Sequence, residues 1–243
     1  MKRFTSILLV AAIVFAMAMP QTGEAAKKET EGNGKLIVID AGHQGKGNHS
    51  LEPIGPGAKQ KKAKVASGTT GRYSKVPEYK LTLKVSQKLK KELEARGYTV
   101  KMIRTTHNVN IPNSKRAKIA NKLKADAFIR IHANGSTNTS ISGALTMAPA
   151  KGNKYMSYKN VTKSQRISRK IVNAFCKATG ANTQGVMKTN SMSGINWCKV
   201  PVTIVEMGYM SNRKEDLKMQ KASYQKKMVK GIANGLGQYF KLK

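Results

Sequence analysis

Lys35-Leu36-Ile37-Val38-Ile39-Asp40-Ala41-Gly42-His43 is a short apolar run that ends in a polar turn. It is too short and too rich in β-branched residues for a helix, and it has the composition of a strand buried in a parallel sheet. The same design recurs twice. Ala127-Phe128-Ile129-Arg130-Ile131 runs into His132-Ala133-Asn134-Gly135, and Val202-Thr203-Ile204-Val205 runs into Glu206-Met207-Gly208. In open α/β sheets, sites form beyond the carboxyl ends of the strands. His43, His132 and Glu206 are therefore placed to converge.

Helical patterns lie between these runs. Leu81, Val85, Leu89 and Leu93 recur every four residues behind Pro77-Glu78, and Gly97 suits the helix exit. Taken alone, Glu78 reads as a carboxylate stabilising the helix start. Tyr98 to Ile103 reads as a strand, and Ser114 to Lys124 and Ser164 to Thr179 as helices. Gly143 to Ala148 reads as a short strand, followed by a loop holding Tyr155 and Tyr158. A last helix runs from Lys214 or Tyr224 to Phe240. Gln44 to Val76 is a long loop rich in Gly, Pro and Lys that would border the site. His49 and His107 look like loop residues, and Gln184 to Cys198 is an irregular Gly/Ser/Asn/Met-rich segment. The alternation predicts an α/β fold, an open and mostly parallel twisted sheet with helices on both faces, as a single catalytic domain over residues 35–243.

The N-terminus reads as a secretory signal peptide over residues 1–26. Lys2-Arg3 is its basic start, Ile7 to Met19 its apolar stretch, and Gly23-Glu24-Ala25-Ala26 its cleavage region. An uncleaved anchor is the competing reading, against which the apolar stretch is short for a membrane span. Residues 27–34 form a short linker. Export changes the meaning of the net charge of +33. A charge this large favours polyanions, and outside the cell these are anionic cell-wall polymers rather than nucleic acid. The bland alternative is solubility alone. The expected protein is secreted or wall-associated, monomeric, and without a stable membrane anchor after cleavage. Cys176 and Cys198 are compatible with one disulfide, which sequence cannot decide.

Catalytic zinc commonly takes three His or carboxylate ligands and leaves one position for water. One arrangement here puts His43, Glu78 and His132 on the metal and leaves Glu206 for proton transfer. No short His-Glu-x-x-His motif is present, so spacing alone is weak.

The motifs Ile39-Asp40-Ala41-Gly42-His43, Pro77-Glu78-Tyr79-Lys80-Leu81, Ile131-His132-Ala133-Asn134 and Val205-Glu206-Met207-Gly208-Tyr209-Met210-Ser211-Asn212 add to this. In this order they resemble the zinc-dependent N-acetylmuramoyl-L-alanine amidases from about Lys35 to Tyr239. The resemblance implies Zn2+ on His43, Glu78 and His132, and Glu206 as general base or acid. It implies peptidoglycan as substrate, cut at the amide between N-acetylmuramic acid and L-alanine. Ala41 and Gln44 stand where the family usually has proline and glycine, and the loop after them is longer, which bears on loop shape and substrate fit. Asp40 is expected behind the ligands, orienting a ligand or the loop, with a plain turn former as the alternative. Asn134 either fixes the His132 turn or contacts substrate. Two other functions compete: a wall- or polyanion-binding protein that kept the fold without the chemistry, and a zinc peptidase cutting within the stem peptide.

Overall fold

The computed structural model describes residues 32–242. Its strands are β1 (Leu36–Ala41), β2 (Asn48–Pro53), β3 (Lys61–Val65), β4 (Thr99–Met102), β5 (Ala127–Asn134), β6 (Ala144–Pro149), β7 (Thr183–Thr189) and β8 (Val202–Tyr209). Its helices are α1 (Glu78–Glu94), α2 (Asn113–Lys122), α3 (Tyr158–Thr179), α4 (Ser193–Asn196), α5 (Arg213–Gln220) and α6 (Ala222–Phe240). Six strands form one sheet in the order β4-β1-β5-β8-β6-β7. All neighbours run parallel except β6 against β8. The mostly parallel α/β sheet expected from the sequence is present.

Side chains alternate across a strand, so each central strand feeds two cores. Ile37, Ile39, Ile129, Ile131, Val205 and Met207 pack under α1, α3 and α6. Val38, Phe128, Leu145, Met147, Val202 and Ile204 pack on the other face, under α2 and α4. Fully burying one such side chain contributes about 1.5–3 kcal/mol. The α1 periodicity holds, with Leu81, Val85, Leu89 and Leu93 all buried. α3 and α6 approach closely because Gly231 and Gly235 face the backbone of Phe175 and Ile171, where a Cβ would collide.

Four expectations are corrected. The loop from Gln44 to Val76 contains the antiparallel hairpin β2–β3, so His49 lies on a strand. Its strands are largely exposed and carry no apolar alternation. α3 begins at Tyr158 rather than Ser164, because Ser157 caps it by accepting from the Asn160 N–H. The segment from Gln184 to Cys198 holds most of the edge strand β7 and the short α4. The last helix is two, α5 and α6, with Asn212 capping the first.

Cys176 and Cys198 are free thiols. The leader at residues 1–26 and the linker up to residue 31 lie outside the described residues. Among the described residues, no helix is long and apolar enough to cross a membrane.

Candidate active site

The face that carries Val38, Phe128, Val202 and Ile204 changes character towards the strand ends. The same alternation that buries those side chains brings Asp40, Arg130, His132 and Glu206 to that face. Register tightens the group: Asp40 pairs with Arg130, and His132 with Glu206, on adjacent strands. Beyond the strand ends a cleft of ≈ 290 Å³ opens, lined by His43, Glu78, His132 and Glu206 together with Val65, Asn134, Met147, Met192 and Ile204.

His43 sits in the turn after β1 with φ +58°, a left-handed conformation that costs a non-glycine residue on the order of 1 kcal/mol or more. Two buried arginines hold that turn. Arg104 donates to the carbonyls of Ala41 and Gly42, and Arg116 to those of Ala41 and His43. Thr82 on α1 adds a bond to Gly42 at 2.8 Å. Gly42 has no alternative residue here, because a Cβ would overlap the His132 ring. The His43 Nδ1 lies 2.7 Å from the Ala66 carbonyl. Donating there leaves Nε2 with its lone pair pointed at Glu78 and His132.

Glu78 opens α1, and its carboxylate leaves its own helix. Oε2 accepts from the Thr69 N–H and Oε1 from the Ala133 N–H, each at 3.0 Å. Burial works to raise its pKa, but the neighbouring His132 and His43 rings hold it well below the usual carboxylate range. His132 is lowered to about 4, chiefly by burial, which keeps the ring neutral as a metal ligand must be. Glu206 is raised to about 8 by burial and then by the charge of Glu78, with Arg130 opposing. Its Oε2 has no partner among the described residues, and neither has the His132 Nε2.

The three donor atoms fit a metal. His43 Nε2, Glu78 Oε1 and His132 Nδ1 lie 3.1, 3.2 and 3.2 Å from one another. Tetrahedral zinc with bonds of about 2.0–2.1 Å sets its ligand atoms roughly 3.3–3.4 Å apart. Among the described residues this is the one group of three that could hold an ion. The residues expected to converge do so.

Asp40 does not touch a histidine. It accepts from Arg116 at 2.7 Å and Arg130 at 2.8 Å. Burial would raise its pKa, but the two guanidinium groups hold it down at about 2. Through Arg116 it supports the His43 turn. The Asn134 side chain accepts from the Gly135 N–H, its carbonyl accepts from Met210 N–H, and the residue borders the cleft.

Sequence reasoning missed Arg104, Arg116, Arg130 and Asn113, which accepts from Arg130 at 2.6 Å. One signal was available: an arginine inside the apolar run before His132 is costly to bury without a partner. The departure at Gln44 is also explained. Gln44 is buried, with Oε1 accepting from Arg116 and the Ile111 N–H and Nε2 donating to Lys46. Gln44→Ala removes that acceptor, which should cost about 1–3 kcal/mol and lower the urea midpoint. An unchanged midpoint would contradict the assigned role.

Fold and site together define an α/β enzyme with a two-histidine, one-carboxylate group able to hold a metal at the strand ends. The family described as N-acetylmuramoyl-L-alanine amidase matches residues 37–238, and the chain belongs to it. A curated relative, an N-acetylmuramoyl-L-alanine amidase of Mycobacterium tuberculosis, is 25% identical over 234 residues, covering 94% of this chain and 95% of the relative. A probable cell wall amidase of Staphylococcus aureus is 26% identical over 215 residues, which cover 88% of this chain but 61% of that longer protein. Among solved structures, the N-acetylmuramyl-L-alanine amidase of Mycobacterium smegmatis superposes with TM-score 0.78 at 22% identity, covering 86% of this chain and 98% of that one. The catalytic domain of an N-acetylmuramoyl-L-alanine amidase from Bacillus (Paenibacillus) polymyxa gives 0.68 at 27% identity, covering 86% and 99%.

Proposed function

We propose that the protein is an exported zinc amidase that hydrolyses the amide between the lactyl group of N-acetylmuramic acid and L-alanine in peptidoglycan. His43, Glu78 and His132 hold the ion, and Glu206 moves the proton. The observation that carries this reading is the convergence of three donor atoms at 3.1–3.2 Å beside the half-buried Glu206 carboxyl, whose Oε2 has no hydrogen-bond partner among the described residues. Family membership supports the bond that is cut.

Zinc bound there would polarise the scissile carbonyl and make water more acidic. The chain's own residues do the rest. Asp40, Arg104 and Arg116 fix the His43 turn, and Ala66 fixes the His43 tautomer. Val65, Met147, Met192 and Ile204 line the cleft with apolar surface, which strengthens charge interactions inside it. The pKa of Glu206, about 8 in the metal-free protein, falls when a dication lies nearby. The carboxylate then accepts a proton from the attacking water at Oε2. Water's oxygen bonds to the carbonyl carbon, the C–N bond breaks, and the proton passes from Oε2 to the departing amine. The products are the lactyl carboxylate and a stem peptide with a free L-alanine amine.

The test is metal removal. A chelator should abolish release of stem peptides from purified wall, and stoichiometric zinc should restore it. Activity that survives complete removal would sink the reading.

A further inference from the structure

The acidic side chains of the described residues are almost all committed within the fold. Asp40, Glu92, Glu94 and Asp126 are in ion pairs, and Glu52, Glu78, Glu215 and Asp216 accept from backbone or hydroxyl donors. Glu206 faces the cleft. The lysine excess therefore has little internal counter-charge.

Part of the excess lines one groove. Arg96, Lys177, Lys227 and Lys230 border a cavity of ≈ 850 Å³ together with Asn234 and Gln238. Tyr98, also on its wall, precedes β4, which runs parallel to β1, so the groove lies at the amino end of the sheet, away from the cleft. The sequence builds it in two ways. Gly231 and Gly235 let α6 pack against the α3 backbone. Lys227, Lys230, Asn234 and Gln238 then recur at three- and four-residue spacing along one face of α6, beside Lys177 on α3. Arg96 is neutralised by Glu92, whereas none of the three lysines is in an ion pair among the described residues. Lys177 also offsets the dipole at the end of α3. Lys227 and Lys230 lie mid-helix and have no such role.

Like charges gathered without acids repel one another, and a bridging anion relieves this. We propose that this groove binds a linear polyanion with phosphodiester charges along its chain, an anionic wall polymer, while the cleft at the other end of the sheet stays free. A membrane surface fits less well, since the lining offers one exposed large apolar side chain, Leu242, rather than an apolar face. Nucleic acid fits less well too, because the groove's aromatic, Tyr98, is buried and offers no stacking platform.

The experiment measures binding of a poly(glycerol phosphate) chain to the full metal-loaded chain. It compares a Lys177→Gln/Lys227→Gln/Lys230→Gln triple variant with a Lys84→Gln/Lys122→Gln/Lys151→Gln control carrying the same charge change elsewhere. The groove variant should bind about tenfold or more weakly, since charge-assisted bonds to phosphate are the strong ones. The control should lose less than about threefold, because dispersed exposed charges are screened. Both should cleave a soluble muramoyl peptide at the wild-type rate and unfold cooperatively. As a second readout, short polyphosphate at constant ionic strength should raise the wild-type melting temperature more than that of the groove variant. Equal losses in both variants would overturn the proposal in favour of diffuse charge. So would phosphatidylglycerol vesicles that bind more tightly than the polymer at equal phosphate and depend on the same three lysines.

Discussion

Glu206→Gln is expected to lower turnover of a muramoyl peptide by about 10²–10⁴-fold, the range that a positioned proton-transfer group contributes. The zinc content and the fold should be unchanged. The substitution is isosteric, and Oε2 has no hydrogen-bond partner to lose among the described residues. Stability gives an independent sign. In the metal-free protein the folded-state pKa of Glu206 is about 8 against an ordinary 4.5. The unfolded chain therefore ionises first, and stability is lost as pH rises from about 4.5 to about 8. The Gln variant lacks that loss, so metal-free wild type and variant should diverge in melting temperature across this window, with the variant higher at pH 8. A variant that retains turnover, or that fails to load zinc, would remove Glu206 from proton transfer.

His132→Ala is expected to abolish stoichiometric zinc binding and with it activity. Losing even an outer partner of a metal ligand costs about 10–100-fold in affinity or activity, so losing one of three ligands must cost more. The His43 and Glu78 donors would remain 3.1 Å apart with nothing on the third side. The truncation also leaves an empty space against Gly42, which is glycine because the ring fills that space. Some thermal stability should go with it, but unfolding should stay cooperative, since His132 lies outside both apolar clusters. Wild-type zinc content in this variant would mean that the ion sits elsewhere.

The parts of this molecule legible in the sequence are those in which local pattern and tertiary burial agree. β1, β5 and β8 are central strands buried on both faces, so their apolar runs stand out, and the titratable residues at their ends mark the site. α1 is amphipathic along its whole length. β2 and β7 were illegible for the opposite reason. One lies in a hairpin and the other at the sheet edge, each largely exposed, and neither NHSLEP nor TQGVMKT has a hydrophobic face to announce it. The first turns of α3 are polar and were lost similarly. The convergence of His43, Glu78 and His132 was readable, because histidines are few and each motif is short. The apparatus behind it was not. Arg104, Arg116 and Gln44 act through contacts between residues far apart in the chain, such as Arg116 with Asp40, and no local period encodes them. Gln44 shows this most clearly: as a departure from the family motif it bore on loop shape and substrate fit, and in the fold it ties the turn down from within through Arg116 and the Ile111 N–H.

The central claim is that this metal group cuts the bond between the lactyl carbonyl and L-alanine. The most direct test is the mass spectrum of the fragments released from a defined muropeptide by zinc-loaded protein. The expected products are a complete stem peptide with a free L-alanine amine and a glycan whose lactyl group ends in a carboxylate. A truncated stem, with L-alanine still attached to the glycan, would contradict the claim and make the protein a peptidase.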